Sequence, residues 1–396
     1  MGKFIKDIDV KDKKVLLRLD LNVPLNSKGE ITDKTRLLES MATINYLCDH
    51  GAKVIICSHL GRPKGKVDLS YSLRPVADAM AKLSKYKVTF ATDTIGDDAK
   101  AKVDALQSQE ILILENLRFD DREEANDEEF ARSLASMADI FCLDAFGTSH
   151  RKHASTYGVT QFLPSYIGLL IQKELKSADS VLVNPARPLV AVLGGSKVQD
   201  KLPVIENLID KADTILLGGG MAFTFLKAMG GNVGKSIVDE EQLPLAEKLM
   251  SVSKEKGVEI VLPVDCVCNE SIDSEAKPKV CDSMAIDDGL MGLDIGKKTI
   301  KLFKKYIKSA KSIVWNGPMG VFENAKYSTG TKKVAKYLGR SKAFTFVGGG
   351  DSVSAVINLG CSKHINHLST GGGASLKLLG GEPLVCIKNI EEKNDD

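Results

Sequence analysis

The chain has 396 residues, 43% apolar and 27% charged, which is the balance of a globular protein too long for a single ordinary core. Its formal net charge of +2 gives no grounds for nucleic acid or a membrane surface as partner. No apolar run reaches the roughly 18 residues of a membrane span, and the start, Met1-Gly2-Lys3-Phe4-Ile5-Lys6, has neither a signal-peptide core nor a myristoylation hydroxyl at position 6.

In chain order, short apolar runs predict strands at 15–19, 53–57, 87–91, 111–114 and 140–143. After a break they resume at 189–193, 214–217, 259–262, 312–315, 344–347 and 384–387. Most are continuously apolar, as strands buried on both faces are. Helical patterns lie between them. Residues 35–49 put Leu37, Leu38, Met41, Ile44, Leu47 and Cys48 on one face, with Thr32 or Asp33 as N-cap and Gly51 past the end. Alternation of this kind, run twice, predicts an α/β protein with two doubly wound, Rossmann-like parallel-sheet domains joined by a helical hinge.

Asn184-Pro185-Ala186-Arg187-Pro188 marks the boundary, since two prolines in four residues disfavour helix after 173–183. The expected division is 1–170, an interdomain helix and hinge at 171–188, 189–375, and a C-terminal segment 376–396 returning to the first domain. The polar tail 391–396 is expected to fray. Eight scattered cysteines, several inside apolar runs such as Val54-Ile55-Ile56-Cys57, suggest reduced core thiols and a cytoplasmic location.

The two halves differ in chemistry. Of ten arginines, eight precede the break: Arg18, Arg36, Arg62, Arg74, Arg118, Arg122, Arg132 and Arg151. Adjacent glycines occur only after it, at 194–195, 218–220, 230–231, 348–350, 371–373 and 380–381. Arginine recognises carboxylate and phosphate through a planar fork, and glycine lets backbone N–H groups approach a polyphosphate. One half then suits a compact anion and the other a nucleotide. Arginine on surfaces and glycine in loops is the plain alternative.

Position favours function, because ligands of an open parallel sheet sit at the carboxyl ends of its strands. Asp20, Asn22, His59, Arg62, Arg118 and Arg151 all follow predicted strands. Arg36 falls in the first turn of its helix, where a cation opposes the dipole, so a partner anion is expected. Gly194-Gly195-Ser196-Lys197-Val198-Gln199-Asp200-Lys201 reads as strand, glycine turn, and a helix opening with two lysines on one face. Asp351, after Gly348–Gly350, either caps the next helix or holds Mg²⁺. Glu323 is placed to accept hydrogen bonds from a ribose. There is no Walker A motif, since Met229 stands where its first glycine belongs, and no GxGxxG follows a strand. Cys266-Val267-Cys268 and the pair His364 and His367 read as structural.

Together the stretches 18–24, 58–63, 115–119, 144–151, 163–166 with 173–175, 194–201, 315–323, 348–352 and 369–376 resemble the phosphoglycerate kinase family over nearly the whole chain. The resemblance implies a phosphotransferase that moves the acyl phosphate of 1,3-bisphosphoglycerate to MgADP, giving ATP and 3-phosphoglycerate, in glycolysis. It implies that Asp20, Asn22, His59, Arg62, Arg118 and Arg151 hold the phosphoglycerate in the first domain, with Arg36 neutralising the transferring group. It assigns Lys197, Lys201, Gly292, Glu323, Gly349, Gly350, Asp351 and Ser352 to the nucleotide, with Asp351 on Mg²⁺. Arg36, Lys197 and the N–H groups at Gly350 and Gly372 would carry catalysis, completed when the lobes close. A monomer is implied. Lys297 departs from the pattern, which has proline there. A nicotinamide-dependent dehydrogenase and a non-catalytic two-lobed anion-binding protein remain as alternatives.

Overall fold

A computed structural model describes residues 3–395. The chain forms two compact units, Met1–Leu175 with Pro383–Asp396, and Lys176–Glu382. The division falls inside a helix, upstream of the Pro185–Pro188 turn.

The first unit alternates β1 (Lys14–Leu19), α1 (Thr35–Asp49), β2 (Lys53–Cys57), α2 (Arg74–Leu83), β3 (Val88–Phe90), α3 (Asp97–Ala105), β4 (Ile111–Ile113), α4 (Glu128–Ala135), β5 (Ile140–Asp144) and β6 (Ser165–Ile167). Its six strands are parallel in the order β3-β4-β2-β1-β5-β6. Val15, Leu17, Val54, Ile56, Ile111 and Ile113 are fully buried in one core, which explains their unbroken apolar runs. The strand order reverses between β1 and β5. In open parallel sheets, ligands bind beyond the carboxyl ends of the strands at such a reversal.

Helix α5 (Leu169–Leu182) carries the chain onward. The second unit then runs β7 (Leu189–Leu193), α6 (Leu202–Ile209), β8 (Thr214–Leu217), α7 (Met221–Ala228), β9 (Asn232–Val233), α8 (Leu243–Glu255), β10 (Glu259–Val261), β11 (Asp265–Asn269), β12 (Lys279–Asp282), β13 (Ala285–Ile286), β14 (Met291–Ile295), α9 (Lys297–Ser309), β15 (Ser312–Asn316), α10 (Thr329–Leu338), β16 (Phe344–Gly348), α11 (Gly350–Asn358), β17 (His367–Leu368) and α12 (Gly373–Leu379). Its main sheet is again six parallel strands, ordered β10-β8-β7-β15-β16-β17, with the reversal between β7 and β15. A small sheet, β12-β11-β14, and the pair β13-β9 stand beside it. Helix α13 (Val385–Asp395) belongs to the first unit.

Four local readings change. Residues 384–387 are not a strand. Cys386, Ile387 and Ile390 are buried along one side of α13, with Leu384 buried just before its start, a helical spacing that the four-residue run was too short to reveal. Of the tail expected to fray, 391–395 continue that helix, and residue 396 lies outside the described residues. The N-cap of α1 is Lys34, while the Asp33 carboxylate accepts from the Thr35 N–H at 2.8 Å one residue earlier. Lys197 and Lys201 precede α6 instead of opening it, because the ring of Pro203 would clash with a helical carbonyl four residues back. Strands β6, β9, β11–β14 and β17 had no clear signal. They are short, and those of the small sheets lack a continuous apolar run.

Lys297, where proline was expected, is the first residue of α9. Asp265 fixes this start, its carboxylate accepting from Lys298 N–H at 3.0 Å and Thr299 N–H at 2.8 Å. Gly296 before it has φ −81° and ψ 176°, the extended conformation a following proline demands. The first N–H of a helix has no intrahelical acceptor to lose. Lys297→Pro is therefore expected to leave stability unchanged or raise it by up to about 1 kcal/mol. Chemical denaturation at unchanged m-value checks this, and a loss of midpoint would show that the backbone here is not proline-compatible.

Candidate active-site residues

In the first unit the site grows from the end of β1. Arg18 lies within that apolar strand and is 1% exposed. Its Nε donates to Ser155 Oγ at 2.8 Å, Nη1 donates to the Leu19 carbonyl, and Nη2 lies 3.3 Å from His59 Nδ1. A guanidinium only donates, so His59 Nδ1 accepts and the imidazole proton resides on Nε2. Burial, then the charges of Arg18, Arg118 and Arg36, hold the His59 pKa well below its ordinary value. Burial and the same two buried arginines bring His153 down to about 4. Both rings are neutral at pH 7.

Asp20 and Arg36 meet at 2.6 Å, which answers the charge that opposes the α1 dipole. Asn22 Oδ1 accepts the Gly61 N–H at 2.9 Å, and its own N–H donates to Asp20 Oδ1 at 3.2 Å. Arg118 is buried, donates from Nη1 to the Gly61 carbonyl at 2.9 Å, and pairs through Nη2 with Glu124 at 3.0 Å. Its Nε has no hydrogen-bond partner in the protein. Burial pushes the Arg118 pKa down; Glu124 opposes this, while Arg18 and Arg151 add to it. Arg62 and Arg151 are exposed, and neither forms an ion pair with a carboxylate among the described residues. The structure thus links Asp20, Asn22, Arg36 and Arg118 by direct or shared bonds, ties His59 to Arg18, and leaves Arg62 and Arg151 exposed.

In the second unit, loops leaving β7, β8 and β15 touch backbone to backbone. Gly194 N–H donates to the Asn316 carbonyl at 2.9 Å, Gly195 N–H to the Pro318 carbonyl at 2.8 Å, and Gly219 N–H to the Met319 carbonyl at 3.1 Å. A side chain on Gly317, at φ +97°, would lie 2.1 Å from the Gly194 carbonyl oxygen. Two adjoining cavities result. One, of about 270 Å³, is lined by Phe223, Ile237, Ile272, Gly292, Met319, Val321 and, at a polar edge, Glu323. Gly292 is required there, as an added Cβ would fall 2.0 Å from the Phe223 ring. The other, of about 350 Å³, is lined by Lys197, Asp200, Lys201, Asn316, Gly349, Gly350 and Gly372. Gly195, Ser196, Pro318 and Asp351 line both.

Asp351 is exposed in the first turn of α11, whose N-cap is Gly349 with no side-chain cap bond. The carboxylate is thus not used up in capping. Ser352, by contrast, is buried, and its Oγ accepts the Gly317 N–H at 2.6 Å, which braces the β15 loop. Only its main chain, in the same first turn, remains to face a ligand. Lys201 is pushed down to about 8, by burial first and against the pull of Asp200 and Asp351.

Sequence reasoning passed over Arg18, Glu123, Ser155, His153 and Asn316. Arg18 carried a signal, being a charge inside an apolar strand. Glu123 carried none, as it lies in an acidic stretch, 120–129.

The family model for phosphoglycerate kinase matches residues 5–382. The chain belongs to the phosphoglycerate kinase family. A Clostridium kluyveri phosphoglycerate kinase is 48% identical over 394 residues, 99% of each chain. One from Finegoldia magna is 49% identical over 393 residues, again 99% of each. The solved phosphoglycerate kinase of Coxiella burnetii superposes with a TM-score of 0.89 at 36% identity, covering 100% of both chains. Membership makes the chain a kinase and phosphotransferase, with two parallel-sheet α/β domains in common with its solved relatives.

An anion seated beside Lys201 will favour its charged form. Since the free ammonium titrates near 8, such a ligand binds most tightly below that pH and takes up protons as it binds around and above it. Calorimetry of ADP binding at pH 8, in buffers of different ionisation enthalpy, is expected to show proton uptake that Lys201→Met removes. Buffer-independent heats in the unmodified protein would contradict this.

Proposed function

We propose that the chain catalyses reversible transfer of the acyl phosphate of 1,3-bisphosphoglycerate to MgADP, giving ATP and 3-phosphoglycerate, as a cytoplasmic monomer. The observation that carries the reading is the pair of adjoining cavities in the second unit. An apolar slot fits a base, and the neighbouring space, lined by lysine, glycine and N–H groups, fits a polyphosphate. In this reading Gly292 and Phe223 flank the base and Glu323 accepts from the ribose. Lys197, Lys201 and the backbone at Gly349, Gly350 and Ser352 hold the phosphates.

The donor set near Asp351 also suits the metal of MgADP. Its carboxylate is exposed and uncommitted, a hard oxygen donor of the kind Mg²⁺ accepts. No group of three or more His, Cys, Asp or Glu among the described residues is arranged to cage an ion. That pattern fits a cation that arrives on the nucleotide and adds one protein ligand. When bound, Mg²⁺ neutralises phosphate oxygens during transfer.

For the first unit, the reading gives the phosphoglycerate to Asp20, Asn22, His59, Arg62, Arg118 and Arg151. The Arg118 Nε–H has no partner among the described residues, and the exposed Arg62 and Arg151 pair with no carboxylate there, Arg151 Nε donating to His150 Nε2 at 3.1 Å. Transfer is direct and in line, with no phosphorylated side chain. In the first unit the reading gives Arg36 the role of stabilising charge on the transferred phosphoryl, and in the second it gives that role to Lys197 and the N–H groups of Gly350 and Gly372.

Arg36→Ala is expected to lower kcat by about 10²–10³-fold with the fold intact. A coupled assay with ATP and 3-phosphoglycerate, alongside circular dichroism, measures both. Turnover near that of the unmodified enzyme would remove Arg36 from the catalytic set, and zero turnover of the unmodified enzyme would remove the proposed reaction.

A further inference from the structure

Glu123 is a buried carboxyl beside the Arg18 guanidinium, its pKa raised by burial against the pull of Arg18 and Ser155, and the proposed chemistry gives it no role. It is 0% exposed. Its Oε2 accepts the Ser155 N–H at 2.9 Å, and its Oε1 accepts the Ser155 hydroxyl at 2.6 Å. The same hydroxyl oxygen accepts from Arg18 Nε at 2.8 Å. Arg18 Nη2 lies 4.0 Å from Glu123 Oε1 and 3.3 Å from His59 Nδ1. His153 Nδ1 lies 3.9 Å from that Oε1 as well. The backbone joins in, since the Glu123 carbonyl accepts the Ala154 N–H at 2.9 Å. Four groups on distant parts of the chain form one line: Glu123, Ser155, Arg18, His59.

We propose that Glu123, acting through Ser155, is a positioning residue for phosphoglycerate: it fixes the Arg18 guanidinium, and with it the tautomer and placement of the His59 ring. This rests on the reading that phosphoglycerate binds this cluster. A carboxylate is the group the line needs. It accepts twice, once on each oxygen, and so points the Ser155 hydroxyl hydrogen away from Arg18 and leaves the oxygen to receive Arg18 Nε–H. Arg18 in turn presents Nη2 to His59 Nδ1, which leaves the imidazole hydrogen on Nε2. The carboxylate also answers the charge of a buried arginine, which no water reaches.

Field and geometry make opposite predictions for Glu123→Gln. Removing a negative charge beneath an anion site tightens anion binding if only the field matters. If positioning matters, binding weakens, because the Gln amide offers one acceptor oxygen and a donor where Ser155 brings two hydrogens. The expected result is a KM for 3-phosphoglycerate raised about tenfold, with kcat within about threefold and the KM for ATP unchanged. Ser155→Ala, which cuts the line at its next member, is expected to do the same. The double variant should lose about as much as either single one, since both break one path. A lowered or unchanged KM for 3-phosphoglycerate in both single variants, an equal rise for both substrates, or additive losses would overturn the proposal. If Glu123→Gln does not fold, Ser155→Ala alone decides it on the same readout. Arg118→Ala separates the two levels. If it leaves the 3-phosphoglycerate KM unchanged, the binding site itself is misplaced. If it raises that KM while the Glu123 and Ser155 variants do not, only the positioning role fails.

Discussion

The second unit depends on a main-chain approach that only glycine permits. The Gly194, Gly219 and Gly317 backbones meet where the sheet order reverses, and the N–H groups of Gly194 and Gly219 pair with the Asn316 and Met319 carbonyls. Parallel strands splay their loops at such a point, and a bulky side chain would push them further apart. Here they are drawn together instead, and Ser352 closes the arrangement from α11 through the Gly317 N–H. Part of each cavity wall is therefore backbone held in a fixed network. That is the condition for N–H groups to act on phosphate oxygens without reorganising.

The first unit solves a different problem with the same topology. Its reversal, between β1 and β5, holds a buried cation. An arginine that is 1% exposed cannot stand without an answer, since an uncompensated buried charge costs several kcal/mol. Glu123, Ser155 and the Leu19 carbonyl supply it. The ring of His59, beside Arg18, stays neutral because burial, and then the charges of Arg18, Arg118 and Arg36, disfavour its protonated form. Asp20 does for Arg36 at the part-exposed rim what Glu123 does in the interior, with solvent still able to share the load.

How far the sequence could be read follows from which forces act locally. Two doubly wound sheets were legible because strands such as Leu189–Leu193 are apolar on both faces and alternate regularly with helical patterns. Helix α1 was legible from its 3.6-residue stripe. The run at 384–387 misled because four apolar residues fit either period, and only packing of α13 in the first unit decided between them. Lys197 and Lys201 were placed near the right loop but on the wrong element, since the effect of Pro203 was not weighed. The candidate site was legible wherever a charged or glycine residue followed a strand directly. It was illegible at Glu123 and Ser155, which come from loops remote in sequence and matter only because the fold brings them to Arg18.

The uneven use of arginine and lysine between the units has a physical reason in these surroundings. Lys201, part-buried and helped by two carboxylates, already titrates near 8. Arg118 is buried too, and Arg18 and Arg151 act on it as like charges. Glu124 opposes that push, and a lysine there would meet the same burial and like charges from a lower starting pKa. A guanidinium starts from a pKa above 12 and keeps its charge through the same penalty. Stacking several permanent cations against one compact anion is therefore open to arginine and closed to lysine. The second unit shows no such density of arginine; its glycine loops present uncharged N–H donors whose strength does not depend on pH.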